Sequence, residues 1–194
     1  PGLEGIRRIA AGDFFSLAVT TDGEVLTWGS NDFFQLGNWN REDRFAPARV
    51  AGLREVDTVA AGYAHVLALK KDGTVLAWGK NDQGQLGDGT KVSRPEPLSV
   101  TGVSRIAAVA AGGYQSVALG QDGAVWVWGQ HNLDRPVPPG KERNTPVPIK
   151  VEGLPRIVAV ACGENRTLAL DKDGFVWTWG VNVRTPEKVP DLNL

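Results

Sequence analysis

The chain has little of what catalytic and metal sites are built from: one cysteine, two histidines and no methionine in 194 residues. A single thiol excludes an internal disulfide and any metal cage made of several cysteines. We interpret Cys162, which replaces a repeated alanine, as a buried and unreactive thiol. The two histidines, His65 and His131, are far apart in the sequence and leave little for acid–base chemistry. We therefore expect no cofactor, no bound metal and no enzyme activity.

Excess charge of either sign is also missing, since the formal net charge is -1. Without a basic field, nothing in the composition attracts nucleic acid or an acidic membrane surface. No apolar run approaches the roughly 18 to 20 residues that span a bilayer. We expect a soluble protein with neither nucleic acid nor membrane as partner, and its compartment stays open.

Glycine and tryptophan, in contrast, are plentiful, at 24 and 7 residues, and they recur at fixed places. In each copy of a repeat about fifty residues long, an apolar run ends in Ala-Gly or Cys-Gly, and then Asp-Gly and Trp-Gly follow. The Asp-Gly pairs begin at Asp22, Asp72, Asp122 and Asp173, and the Trp-Gly pairs begin at Trp28, Trp78, Trp128 and Trp179. Internal periodicity of this length indicates a solenoid, propeller or array. It favours a binding scaffold over an enzyme.

One repeat shows which elements to expect. Val56–Ala61, His65–Lys70 and Val75–Gly79 are short runs with strand-like patterns, and the segment around 97–100 can add an edge strand. Asp72-Gly73 lies between two of these runs, and Asp-Gly in that setting is a strong hairpin signal because glycine accepts positive φ. We interpret the repeated aspartates as turn residues, not catalytic carboxylates, and the repeated tryptophans as core.

Three or four short strands per repeat predict an all-β protein, a β-propeller of four repeats. We expect a single propeller domain over residues 1–194. Its repeats are approximately 1–50, 51–100, 101–151 and 152–194. The chain could close on itself as a four-bladed ring, with the N- and C-terminal segments completing one split blade. It could also be part of a larger seven-bladed propeller, or associate with itself to make an eight-bladed one.

The motifs of the second repeat resemble the regulator of chromosome condensation repeat. They are Val59–Gly62, His65, Asp72-Gly73, Trp78-Gly79 and Gly84–Gly87, and all four repeats match the first blocks. The resemblance implies a propeller, usually of seven blades, in a family that includes a nucleotide-exchange factor, ubiquitin ligases, an ultraviolet-B photoreceptor and a β-lactamase inhibitor. The spacing between repeats leaves no room for an exchange-factor wedge. Exchange factor and enzyme inhibitor are therefore the lower alternatives.

The variable positions predict where a partner binds. The loops after the Ala-Gly strands gather on one face of a propeller, and tyrosine, phenylalanine and arginine are enriched at interface hot spots. The candidate face comprises Asp13, Phe14, Phe15, Tyr63, His65, Tyr114, Gln115, Glu164, Asn165 and Arg166. A second candidate patch comprises Phe33, Phe34 and Trp39. We predict a non-enzymatic scaffold that binds a protein partner of unknown identity, with a purely architectural role in a larger or engineered propeller as the alternative.

Overall fold

A computed structural model describes residues 3–133 and 144–190, and all regular secondary structure within these ranges is β-strand. The strands, in chain order, are β1 (Ile6–Ala11), β2 (Phe15–Thr20), β3 (Val25–Gly29), β4 (Arg44–Arg49), β5 (Val56–Ala61), β6 (His65–Lys70), β7 (Val75–Gly79), β8 (Arg94–Ser99), β9 (Ile106–Gly112), β10 (Gln115–Gly120), β11 (Val125–Gly129), β12 (Thr145–Lys150), β13 (Ile157–Cys162), β14 (Arg166–Asp171), β15 (Val176–Gly180) and β16 (Val183–Lys188). They form four antiparallel sheets, each of four consecutive strands, which we call blades 1 to 4. The all-β fold and the four blades are confirmed. Among the described residues no helix has the length and apolarity to cross a membrane.

Each blade is built entirely from neighbouring strands of the chain. The first strand, β1, pairs with β2, and the last strand, β16, pairs with β15. The prediction that the two terminal segments share one split blade is therefore wrong for this arrangement. The alanine-rich strands β1, β5, β9 and β13 contact one another in that order. They lie innermost, where small side chains allow close approach.

The Asp-Gly turns close the hairpins between the second and third strands of each blade. In blade 2, the Gly73 N–H donates to the Lys70 carbonyl at 3.0 Å, and Gly73 has a φ of 84°. The Thr74 N–H donates to the Asp72 carboxylate at 2.9 Å. Asp122 accepts from the Ala124 N–H in the same way at 3.0 Å. At these two positions the turn role of the repeated aspartates is confirmed.

The hydrophobic core lies between the blades. Within the described residues, three clusters of buried apolar side chains join blade 1 to 2, blade 2 to 3 and blade 3 to 4. Each cluster sets the leucine and valine face of one blade against the alanine and tryptophan face of the next. Trp78, Trp128 and Trp179 are fully buried there. The predicted core role is confirmed for these three tryptophans.

The two outer faces of the array remain uncovered. Leu17 and Val19 of blade 1 are both 0% exposed, whereas Leu168 and Leu170, at the matching positions of blade 4, are 43% and 37% exposed. On the opposite end face, Ile9 of blade 1 is 79% exposed. The chain therefore forms an open array, and the predicted self-closed four-bladed ring is wrong for this structure.

Candidate functional site

Two sets of loops share one surface, which we call the loop face. The short loops are 12–14, 62–64, 113–114 and 163–165, and the long loops of blades 1 and 2 are 30–43 and 80–93. In blade 2, the Lys80 N–H donates to the Ala64 carbonyl at 2.9 Å. Gly79 precedes it at a φ of 97°, and a Cβ there would lie 2.5 Å from the Ala64 oxygen. Glycine is therefore required at this position, and it holds the start of the long loop against the short loop.

A buried asparagine organises the long loop of blade 2. The Asn81 side-chain oxygen accepts from the Leu86 N–H at 2.9 Å, while its NH₂ group donates to the Thr90 and Val92 carbonyls, each at 3.1 Å. The loop then folds inward. Leu86 is buried, and the Gln85 carbonyl accepts a hydrogen bond from the indole N–H of Trp128 at 2.8 Å. The next blade thus anchors this loop.

Aromatic side chains from three different blades converge on Lys80. The Lys80 Nζ lies 4.3 Å from the ring centroid of Phe33, 5.3 Å from that of Tyr63 and 5.0 Å from that of Tyr114. The two tyrosine rings contact each other at a centroid distance of 5.5 Å. These distances are in the range of cation–π attraction. We call Phe33, Tyr63 and Tyr114 the aromatic cluster.

The aromatic cluster borders a depression at the centre of the loop face. The depression has a volume of about 440 Å³. Tyr63 and Tyr114 line it from the middle blades, and Asp13 and Glu164 line it from the end blades. Both carboxylate-bearing residues are exposed. The structure therefore brings together the tyrosines and the acidic residues of the predicted face around one concave centre.

The remaining exposed members of that predicted face lie at its ends. Phe14 is 71% exposed on blade 1, and Asn165 and Arg166 are exposed on blade 4. These residues occupy the short loops and the first position of β14, as the sequence predicted.

Three residues of the predicted face are not on the surface at all. Phe15, His65 and Gln115 are 3%, 0% and 0% exposed. Each is the first residue of the second strand of its blade, and its side chain points into the interface with the following blade. The His65 Nε2 lies 3.0 Å from the Ser116 hydroxyl, and the Gln115 NH₂ donates to the Thr167 hydroxyl. These three positions therefore form contacts between adjacent blades and not a partner-binding surface.

The second predicted patch is divided by the structure. Phe33 joins the aromatic cluster, whereas Trp39 is 65% exposed at the outer rim. Phe34 is half-buried, and the Arg41 guanidinium lies 4.6 Å from its ring centroid. Lys80, the residue that connects Phe33 to the tyrosines, was absent from the sequence prediction. Its signal in the sequence is its position directly after Trp78-Gly79, at the start of the long loop of its own repeat.

Burial holds two titratable groups near the loop face, His65 and Cys162, in their uncharged forms. Desolvation lowers the pKa of His65 to about 4, so the imidazole is neutral at pH 7. Burial also raises the pKa of the Cys162 thiol to about 12, with a weak opposing effect from the Thr167 hydroxyl at 3.9 Å. In the described part of the chain, no group of three or more His, Cys, Asp or Glu residues is placed to hold a metal ion.

We expect Cys162 to react slowly with thiolate-specific reagents. Because burial raises the pKa of this thiol from the ordinary 9.0 to about 12, its thiolate fraction at pH 8 is about a thousandfold smaller than that of an exposed cysteine. Alkylation by iodoacetamide, followed by intact-mass spectrometry, measures the rate against the same protein unfolded in urea. A native rate within tenfold of the unfolded rate would contradict this prediction.

The sequence and the structure both match known repeats. The family model for the regulator of chromosome condensation (RCC1) repeat matches residues 22–69, 72–119 and 122–170. Yeast RCC1 (Prp20), solved bound to Kap60, has a TM-score of 0.84 at 27% identity, over 99% of this chain and 50% of that one. Human WBSCR16 has a TM-score of 0.84 at 26% identity, over 97% of this chain and 54% of that one.

A curated relative supports the same assignment. The ultraviolet-B receptor UVR8 of Arabidopsis thaliana is 43% identical over 56 residues, which is 28% of this chain and 13% of that protein. The chain thus spans about half the length of the solved propellers it matches and a smaller part of UVR8. Because the repeat model covers most of its residues, the chain belongs to the regulator of chromosome condensation (RCC1) repeat family.

Proposed function

We propose that the chain is a non-enzymatic scaffold that binds a protein partner at the centre of its loop face. The observation that carries this proposal is the convergence of Phe33, Tyr63 and Tyr114 on Lys80. These residues come from three blades, yet they form one half-buried cluster next to a depression. Another protein with this repeat, yeast RCC1, has been solved in complex with a protein, Kap60.

The aromatic cluster suits binding because it is already ordered. Tyrosines held by each other and by a cation lose little side-chain freedom when a partner covers them. They also supply large apolar areas with polar tips, the combination found at interface hot spots. The Tyr63 N–H donates to the Gly113 carbonyl of the next blade at 2.8 Å, which fixes the backbone of the cluster as well.

The charges around the depression suggest what the partner presents. Asp13 and Glu164 are exposed at opposite margins, and the Lys80 Nζ lies 3.5 Å from the Asp82 carboxylate. The cation at the centre is thus already paired, while the marginal carboxylates face solvent. We propose that the partner inserts a basic side chain, lysine or arginine, into the depression.

The double variant Tyr63→Ala/Tyr114→Ala tests this proposal, because it should lose affinity for the partner. Affinity capture with the wild-type chain and with this variant identifies the proteins that depend on the aromatic cluster, and titration then gives their Kd. We expect the Kd to rise about thirtyfold or more, which corresponds to the roughly 2 kcal/mol of a hot spot.

Phe45→Ala is the matched control, because Phe45 is 98% exposed on the outer edge strand β4. It should leave the Kd unchanged. Thermal unfolding of all three proteins shows whether each is folded. A partner that binds the folded double variant as tightly as wild type would sink the proposal and leave an architectural role, which the uncovered end faces favour.

A further inference from the structure

The uncovered end faces carry the strand positions that are buried between blades inside the array. We propose that two copies of the chain associate head to tail, so that the blade 4 face of each copy packs on the blade 1 face of the other. Both contacts form at once around a two-fold axis, and the product is a closed ring of eight blades, within the known range of propellers.

The apolar residues of blade 4 support this pairing. Leu168 and Leu170 occupy the positions of Leu67 and Leu69, which are 0% and 3% exposed between blades 2 and 3. In the single chain the blade 4 pair is 43% and 37% exposed. Apolar side chains that are buried at the other blade interfaces thus face solvent at this one. Covering them restores the burial found elsewhere in the array.

A pairing rule at the blade interfaces identifies the second copy as the occupant. The first residue of the second strand in one blade faces the second residue of the matching strand in the next blade. His65 meets Ser116 and Gln115 meets Thr167 through polar contacts. At the interface between blades 1 and 2, Phe15 and Val66 lie in the same hydrophobic cluster. Polar residues therefore meet polar residues, and apolar residues meet apolar ones.

The two end faces obey the same rule. Arg166 takes the first position on blade 4, where it is exposed, and Ser16 takes the second position on blade 1, where it is half-buried. A guanidinium donor and a hydroxyl acceptor are chemically matched. On the blade 1 face, the exposed Ile9 repeats Val59, which is buried in the cluster between blades 1 and 2. A second copy thus offers each end face the kind of surface that covers it inside the array.

Light scattering during gel filtration tests the proposal on the 194-residue chain. We expect a mass of about 42 kDa, twice the chain mass of 20.8 kDa. The variant Leu168→Asp/Leu170→Asp should be monomeric at concentrations where wild type is dimeric, with the dissociation constant raised at least about a hundredfold. Ile9→Asp, on the other end face, should have the same effect. Phe45→Asp, on the exposed outer edge, should stay dimeric.

Charge exchange separates this pairing from unspecific association. Arg166→Asp should weaken the dimer, and adding Ser16→Arg should restore it, because the polar pair is then reversed. Circular dichroism of each variant shows whether it is folded, and these substitutions lie outside the buried clusters between blades. A monomeric or polydisperse wild type would overturn the proposal. So would a dimer that survives both end-face variants, since other surfaces would then hold it together.

Discussion

Replacing Trp78 by alanine should lower the free energy of unfolding by about 3 to 5 kcal/mol, the cost of truncating a fully buried large aromatic residue. The Trp78 side chain is 0% exposed in the cluster between blades 1 and 2. Its indole N–H donates to the Gln35 carbonyl of the preceding blade at 2.9 Å. The substitution therefore opens a cavity in the interface and leaves that carbonyl without its donor.

Trp39→Ala is the matched control for this experiment. Trp39 is the same residue type, but it is 65% exposed, so its removal should change the free energy of unfolding by less than about 0.5 kcal/mol. Trp78→Phe keeps most of the volume and should fall between the two. Urea denaturation followed by circular dichroism measures all three variants. Equal costs for Trp78→Ala and Trp39→Ala would show that the blade interfaces are not the core.

Acidification from pH 7 to pH 4 should remove up to about 3 kcal/mol of stability through His65 alone. Burial lowers the pKa of His65 from 6.5 to about 4. Between these two values the unfolded chain binds a proton that the folded chain does not. Stability is therefore lost as the pH falls below about 6.5, and the loss is complete near pH 4.

His65→Gln isolates this effect, because Gln115 occupies the equivalent position in blade 3 and hydrogen-bonds the next blade there. The His65 ring faces the Ser116 hydroxyl and lies over Gly62. Asp72, Asp88 and Asp171, whose pKa values are lowered, titrate in both proteins and cancel in the comparison. Urea denaturation across the pH range should give a steeper decline for wild type. Parallel curves would show that His65 is not buried as a neutral ring.

The blades themselves could be predicted because their signals are local. Two-residue alternation, the Asp-Gly turn and the spacing of Trp-Gly each act within one hairpin, and the predicted strands Val56–Ala61, His65–Lys70 and Val75–Gly79 match β5, β6 and β7. The regular repeat then multiplies one correct blade into four. The sequence predicts an edge strand only around 97–100, whereas β8 begins at Arg94, because prolines at alternate positions obscure the strand pattern.

The site could be predicted only in part, because it depends on how the blades are arranged relative to one another. Tyr63 and Tyr114 were assigned to one face from their loop positions. Phe33 and Lys80 join them only because of how blades 1 and 2 are arranged relative to each other. No local sequence pattern encodes that arrangement. The assignment of His65 to the loop face is wrong, because His65 is the first residue of strand β6 and not the last residue of the loop before it. At that boundary a side chain switches from the loop face to the interface between blades.

Three repeats build one aromatic cluster around Lys80, and NMR of the lysine side chains can detect this arrangement in solution. Ring currents should shift the Lys80 side-chain resonances upfield of those of Lys71, which is exposed in a hairpin turn. In Tyr63→Ala/Tyr114→Ala most of this shift should disappear. Lys80 resonances that coincide with those of Lys71 in the folded wild-type protein would contradict the account.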